Sequence, residues 1–284
     1  MSTAQLYTAE HIAFAGTGTA YDPETGEMLV YGPASTHKVV NIAQADAYKE
    51  RKEHQGRQAE FTFADMTELH DVIDVLTTSQ CGYLLLLQCY VDYDNGRLIN
   101  AKGDAMKPGD LLDVLGLKRK RQTFYDFLDR CVENAIITRD EDGTYYVNPR
   151  YHFRGANGSR AVVRTYSTMV KRSYRENKAS DLGLVYRMLR FVHLDTNALC
   201  ANPLERDARK VRWFNGKQLA EAIGVDEKTV TRRLPNITVG GAPIVARVKV
   251  SGEATKYVFN PNVFYRSSKE PGTLLAAIFN GAAA

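Results

Sequence analysis

Within the six residues 228–233, five side chains suited to meeting a nucleic acid stand together: Lys228, Thr229, Thr231, Arg232 and Arg233. Val230 and Leu234 are four apart and share one helical face, which leaves these five outside the apolar stripe. An arginine fork matches guanine in the major groove. A threonine packs its methyl on thymine or bonds a phosphate through its hydroxyl. The same helix also suits a plain solvated face. A second basic stretch, Lys118, Arg119, Lys120 and Arg121, leads into Gln122, Thr123 and Tyr125. Four cations at a helix start oppose the helix dipole. A phosphate backbone would offset that conflict and leave Gln122, Thr123 and Tyr125 to reach base edges or sugars; a solubilising loop is the alternative.

Other chemistry is missing from the sequence. It contains no P-loop, GxSxG or HExxH motif. The six histidines (His11, His37, His54, His70, His152 and His193) are scattered without ligand spacing. Cys81, Cys89, Cys131 and Cys200 form no CxxC pair and are expected as reduced, buried thiols. Gly16-Thr-Gly18 lacks the third glycine of a dinucleotide fingerprint. The chain is therefore expected not to be an enzyme, with no cofactor and no bound metal.

The elements that position the basic helices come from an internal repeat. Cys81–Leu98 and Leu182–Leu199 align in one frame, with Gly82, Tyr90, Val91, Asp94 and Leu98 matching Gly183, Phe191, Val192, Asp195 and Leu199. LLDVLGL at 111–117 then matches LAEAIGV at 219–225, and YYVNPRYHFR at 145–154 matches YVFNPNVFYR at 257–266. Three blocks recurring in one order mark a duplicated domain. Each copy is predicted to run through an apolar helix (80–90; 182–192), a short extended segment (97–100; 211–214), a helix (108–115; 216–223), a glycine turn, a second helix (120–134; 227–234) and a hairpin. Gly116 and Gly224 sit where a left-handed residue ends a helix, and Asp226 is placed to cap the next one. Aligning Phe124 and Leu128 with Val230 and Leu234 puts two extra residues in the first turn. This order is the winged-helix plan around a helix-turn-helix. The first wing, Arg139–Gly143, is acidic at its tip and is not expected to clamp DNA. The second carries Arg247, Lys249 and Lys256 and suits phosphate.

The fold class expected is α+β, mostly helical, with two tandem winged-helix domains at 63–155 and 181–270. An N-terminal β-hairpin arm and linker occupy 1–62, built on the turn Tyr21-Asp-Pro-Glu-Thr-Gly26. An apolar tail at 271–284 is expected to pack on the second domain, with partner docking or self-association as the alternative. Residues 156–180 read as a basic amphipathic linker: Val162, Val163, Tyr166, Met169, Val170 and Tyr174 recur at helical spacing, with Arg160, Arg164, Lys171 and Arg172 beside them to track phosphates or face solvent.

Charge supports a polyanion partner for one half. The 284 residues carry 37 Lys and Arg against 33 Asp and Glu, but residues 156–284 hold 21 basic and 10 acidic side chains, a net +11. Residues 1–155 are acidic by difference, at net −7. Charge alone does not separate DNA, RNA and a membrane surface. No run of about 18 apolar residues is present, so no membrane span is expected, and the start has no signal-peptide pattern; the expected location is cytoplasmic.

VDYDNGRL, LLDVLGLKRKRQTFYDFLDRCVENAIITR and YYVNPRYHFRG, together with the YDPETGE hairpin before them, resemble RepL-like plasmid replication proteins of Gram-positive bacteria, whose relatives occur in phages. The resemblance spans residues 20–155 and more weakly 182–266. Its most specific part is Asn148-Pro149 with Phe153 and Arg154. It implies duplex DNA binding in replication initiation or transcription regulation. The second copy and the longer first turn depart from a single-domain relative. The expected partner is double-stranded DNA, with sites arranged as direct repeats at an origin or as operators, and a homodimer or a replication or transcription protein as a further partner. The competing reading is a winged-helix adaptor that binds a host, replication or transcription protein instead of DNA. Single-strand or RNA binding has less support, because no stacking aromatics on an open sheet are evident.

Overall fold

A computed structural model describes residues 18–21, 28–31, 60–93, 95–207, 209–249 and 255–280. The chain is mixed α and β and divides into two units, Met1–Gln58 and Ala59–Ala284. In the first unit, β1 (Gly18–Tyr21) pairs antiparallel with β2 (Met28–Tyr31), Tyr21 opposite Met28. The predicted turn between them, and the stretch 43–59, lie outside the described residues.

The second unit opens with β3 (Phe61–Asp65), α1 (Leu69–Val75) and α2 (Thr78–Leu87). A capping box starts α2: Thr77 N–H donates to Gln80 Oε1 at 3.0 Å, and Thr77 Oγ1 accepts from Gln80 N–H at 3.4 Å. Residues 80–87 of α2 are buried on every side, which marks a central helix rather than a surface one. There follow α3 (Pro108–Val114), α4 (Arg121–Glu133), the hairpin β4 (Ile137–Arg139) with β5 (Tyr145–Val147), and β6 (His152–Phe153).

The second copy repeats that order: β7 (Val162–Tyr166), α5 (Ser167–Glu176), α6 (Ala179–Met188), α7 (Gly216–Ile223) and α8 (Glu227–Arg233). A short pair follows, β8 (Thr238–Val239) with β9 (Ala242–Pro243), then the hairpin β10 (Val245–Val248) with β11 (Lys256–Phe259), and β12 (Phe264–Tyr265). Last comes α9 (Thr273–Asn280), whose Leu275 and Phe279 join Ala198, Ala246, Val258 and Tyr265 in one apolar cluster.

The expected linker helix is corrected here. Residues 162–166 are a strand, and the helix begins only at Ser167. Val163 and Thr165 are fully buried, while Arg164 and Tyr166 between and after them are half-exposed, which is the period of a strand. Nor is the segment a spacer. Residue n of the first copy corresponds to n + 101 in the second, from Phe61 and Val162 through Thr78 and Ala179 to Val91 and Val192. Residues 162–176 are thus the opening of the second copy, and both copies share one sheet and one core.

That sheet has the order β12-β7-β3-β6, antiparallel throughout. Its register is reciprocal. Phe61 faces Tyr166, and their counterparts Val162 and Asp65 face each other; Phe63 faces its own counterpart, Arg164. Outside this pair, Phe63 meets Phe153 as Arg164 meets Tyr265. Beneath the sheet α2 and α6 cross, and the crossing is reciprocal too. A Cβ added at Gly82 would lie 1.9 Å from Ala179 O, and one added at Gly183 would lie 1.6 Å from Thr78 O. The two copies are therefore related by a pseudo-twofold axis through the centre of β3 and β7.

Arg187 of α6 ties this junction together. Its guanidinium donates to Ile223 O at the end of α7 (3.1 Å) and to Leu76 O (3.2 Å) and Ile73 O (3.5 Å) at the end of α1. Carbonyls at helix ends lack intrahelical donors, so this half-buried cation satisfies them.

Candidate nucleic-acid interface

Each copy builds two helices joined by a glycine turn. Gly116 (φ 66°) and Gly224 (φ 71°) take the left-handed conformation that favours glycine. The residue after each bonds back five positions, Leu117 N–H to Leu112 O at 2.9 Å and Val225 N–H to Ala220 O at 3.0 Å. The first copy then adds a turn at Lys118–Arg119 before α4 starts at Arg121, whereas α8 starts three residues after Gly224. Phe124 and Leu128 bury on α4 as Val230 and Leu234 do in the second copy, as the alignment with two extra residues requires.

The two helix entries differ. Asp226 caps α8: its carboxylate accepts Thr229 N–H at 2.8 Å and the Thr229 hydroxyl at 2.7 Å, and these bonds hold its pKa below the usual carboxylate value. At α4 the preceding residue is Lys120, and no side chain caps it. Arg119, Lys120, Arg121 and Thr123 are exposed there and have no ion pair or side-chain hydrogen bond among the described residues. Lys118 pairs with Asp113 at 2.7 Å, both well exposed, and Gln122 donates to Asp126 at 2.6 Å. Tyr125 is 43% exposed and touches Phe124 edge to face.

On α8, Lys228 and Arg232 are exposed and unpaired among the described residues. Thr231 is exposed, with its hydroxyl donating to Glu227 O at 2.9 Å. Lys249 and Arg247 are exposed on the second hairpin, whose tip, 250–254, is outside the described residues.

Other sequence candidates are held elsewhere. Arg233 donates to Asp181 Oδ1 at 2.7 Å and to Ser180 Oγ at 3.0 Å, so it fastens α8 to α6 instead of facing outward freely. The Thr229 hydroxyl is spent on the cap. Arg160 donates to the buried Asp65 carboxylate at 2.6 Å and to Pro149 O at 3.0 Å, and lies over the Phe153 ring at 4.2 Å. Arg164 bonds Ser267 O and covers Phe61 at 5.4 Å. Lys171 sits over Tyr90 at 4.0 Å and Arg172 pairs with Glu176 at 2.8 Å. Lys256 stacks on Trp213 at 5.4 Å. Each of these seven side chains has a carboxylate, carbonyl or aromatic partner within reach; for Thr229 and Arg172 that partner is local in sequence, and for the others it is distant.

The Asn-Pro signature is also structural. Asn148 donates through Nδ2 to Ala135 O (2.8 Å) while its backbone O accepts from Tyr151 and His152 N–H. Asn260 repeats this with Pro243 O (3.2 Å) and Val263 and Phe264 N–H. Each asparagine locks the base of its hairpin to the shared sheet. Arg154 lies over Tyr93 at 4.5 Å, and Arg266 donates to Val192 O at 2.9 Å.

The first hairpin keeps an acidic tip. Asp140 accepts Thr144 N–H at 2.7 Å and the Tyr146 hydroxyl at 2.9 Å, the first of which chiefly lowers its pKa. Glu141 and Asp142 beside it are exposed. Burial pushes the thiols of Cys81 and Cys200 up to about 11 and of Cys89 up to about 12, so they stay protonated at neutral pH. No helix among the described residues is long and apolar enough to cross a membrane. No protein-family model, curated protein or solved structure matches this chain.

Proposed function

We propose that this chain is a sequence-specific double-stranded DNA-binding protein built from two tandem winged-helix domains, acting in plasmid or phage replication initiation or in transcription regulation. One observation carries the reading. The helix after each glycine turn leaves several cations outside the core and, among the described residues, unpaired: Arg119, Lys120 and Arg121 at the start of α4, and Lys228 and Arg232, though not Arg233, on α8. An uncapped helix start flanked by three free cations accommodates phosphate, which the dipole and the charges both favour. Arg232, exposed on a helix anchored by Val230 and Leu234, has the fork that reads guanine.

The test is fluorescence anisotropy of the full chain with a labelled random-sequence duplex across a salt series. Replacing Arg119, Lys120 and Arg121 by Ala is expected to reduce the log–log salt slope by up to about 2.7, at about 0.9 per phosphate contact. An unchanged slope removes α4 from the interface. Failure to bind any duplex at low salt refutes DNA binding altogether.

A further inference from the structure

Given the DNA-binding reading above, on which this inference rests, we infer that the duplex site consists of two unlike half-sites in inverted orientation, not of direct repeats. The register of β3 with β7 is its own reverse, with Phe63 opposite its counterpart Arg164. The glycine contacts exchange in the same way, Gly82 with Ala179 and Gly183 with its counterpart partner Thr78. Two independent sets of contacts thus define one twofold relation, not a translation. A twofold axis keeps both helices that follow the glycine turns at one height and reverses the part of their direction that lies perpendicular to it. B-form DNA has local twofold axes perpendicular to its length, and a protein with a twofold reads half-sites related by such a dyad. Direct repeats would need the two readers related by translation along the groove, which the shared sheet forbids without breaking it.

The halves must also be unlike, because the copies depart from the twofold where they would touch DNA. The helix α4 has 13 residues and α8 has 7. The first copy has the longer, cationic turn and an acidic hairpin tip at Asp140–Asp142; the second has a capped helix and Arg247 and Lys249 on its hairpin. The first half-site is expected to be held mostly by phosphates, and the second to be read more through bases by Arg232.

The experiment begins with selection of duplexes from a random-sequence pool by the full chain, followed by hydroxyl-radical footprinting of an enriched duplex. Three versions are then compared: the selected sequence, the same with one half reversed in place, and the same with both halves exchanged. Protections related by a central dyad, with at least a tenfold loss of affinity on reversing one half, support the inference. The variants assign the halves: Arg232→Ala thins the protections of one half, and Arg121→Ala those of the other. Protections repeated in one orientation, protections confined to a single half, or tolerance of the reversed half overturn the inverted arrangement while leaving DNA binding intact. No enrichment, together with no retention of random duplex at low salt, overturns the DNA reading itself.

Discussion

The crossing of α2 and α6 makes a quantitative prediction about Gly82 and Gly183. Ordinary van der Waals contact begins near 3.4 Å, but a Cβ at these positions would sit 1.9 Å and 1.6 Å from carbonyl oxygens of the opposing segment. Gly82→Ala or Gly183→Ala must therefore part the helices by about 1.5 Å or more, since the obstacle is backbone and cannot swing aside. A gap of 0.5–1 Å already forfeits about a quarter to a half of the dispersion energy across an interface. The opposing gain is the helix propensity of alanine, about 1 kcal/mol over glycine. The net expectation is a loss of about 3 kcal/mol or more for each variant, read as a urea midpoint lower by about 1 M or more. Gly109→Ala, on the exposed start of α3 with nothing within 4 Å of the added Cβ, is the matched control and is expected to leave stability unchanged or raise it by up to about 1 kcal/mol. The two clashes occupy one crossing, so the Gly82/Gly183 double variant is expected to cost less than the sum of the singles. Urea unfolding followed by circular dichroism decides it. If Gly82→Ala and Gly109→Ala have equal midpoints, the close crossing, and the twofold drawn from it, are wrong.

Further outcomes follow from the same contacts. Arg232→Ala is expected to weaken duplex binding by about 1–3 kcal/mol in anisotropy titrations with unfolding unchanged, while Arg233→Ala is expected to cost about 1 kcal/mol of stability through its half-exposed pair with Asp181. Arg187→Met strands the carbonyls of Ile73, Leu76 and Ile223, and about 3 kcal/mol of unfolding free energy should go with it. His152 is buried, its Nε2 2.7 Å from the Tyr186 hydroxyl, and burial lowers its pKa to about 3. The unfolded chain takes up that proton near pH 6.5 and the folded one does not, so stability falls as pH drops from about 6.5 toward 3. The slope is about 1.4 kcal/mol per pH unit, or about 2 kcal/mol between pH 6.5 and 5. His152→Gln is expected to flatten that slope in chemical unfolding at the two pH values, and an unaltered slope would assign it to other groups.

Much of each copy was legible because its determinants are local. Gly116, Gly224 and Asp226 act within a few residues of themselves, and the apolar stripe at Val230 and Leu234 needs only helical spacing to be seen. The start of the second copy was not. Val162, Val163, Tyr166, Met169 and Val170 satisfy a helical period, and only pairing with β3, far away in the chain, reveals the first five residues of that stretch as a strand. The fates of the arginines were hidden for the same reason. Arg160 finds Asp65 95 residues away and Arg233 finds Asp181 52 residues away, and nothing near either arginine in sequence signals it. The repeat itself was visible in Gly82 and Gly183, yet its symmetry was not, since sequence similarity is the same for copies related by translation and by rotation.

Because the two copies are joined by one chain and one sheet, their pairing does not dissolve on dilution as that of a dimer does. A substitution in a homodimer is made twice, once in each subunit, and must suit both places. Here a substitution in α4 leaves α8 as it was, so each surface is free to be altered for its own contacts while the common centre, Gly82 on Ala179 and Gly183 on Thr78, keeps both in place.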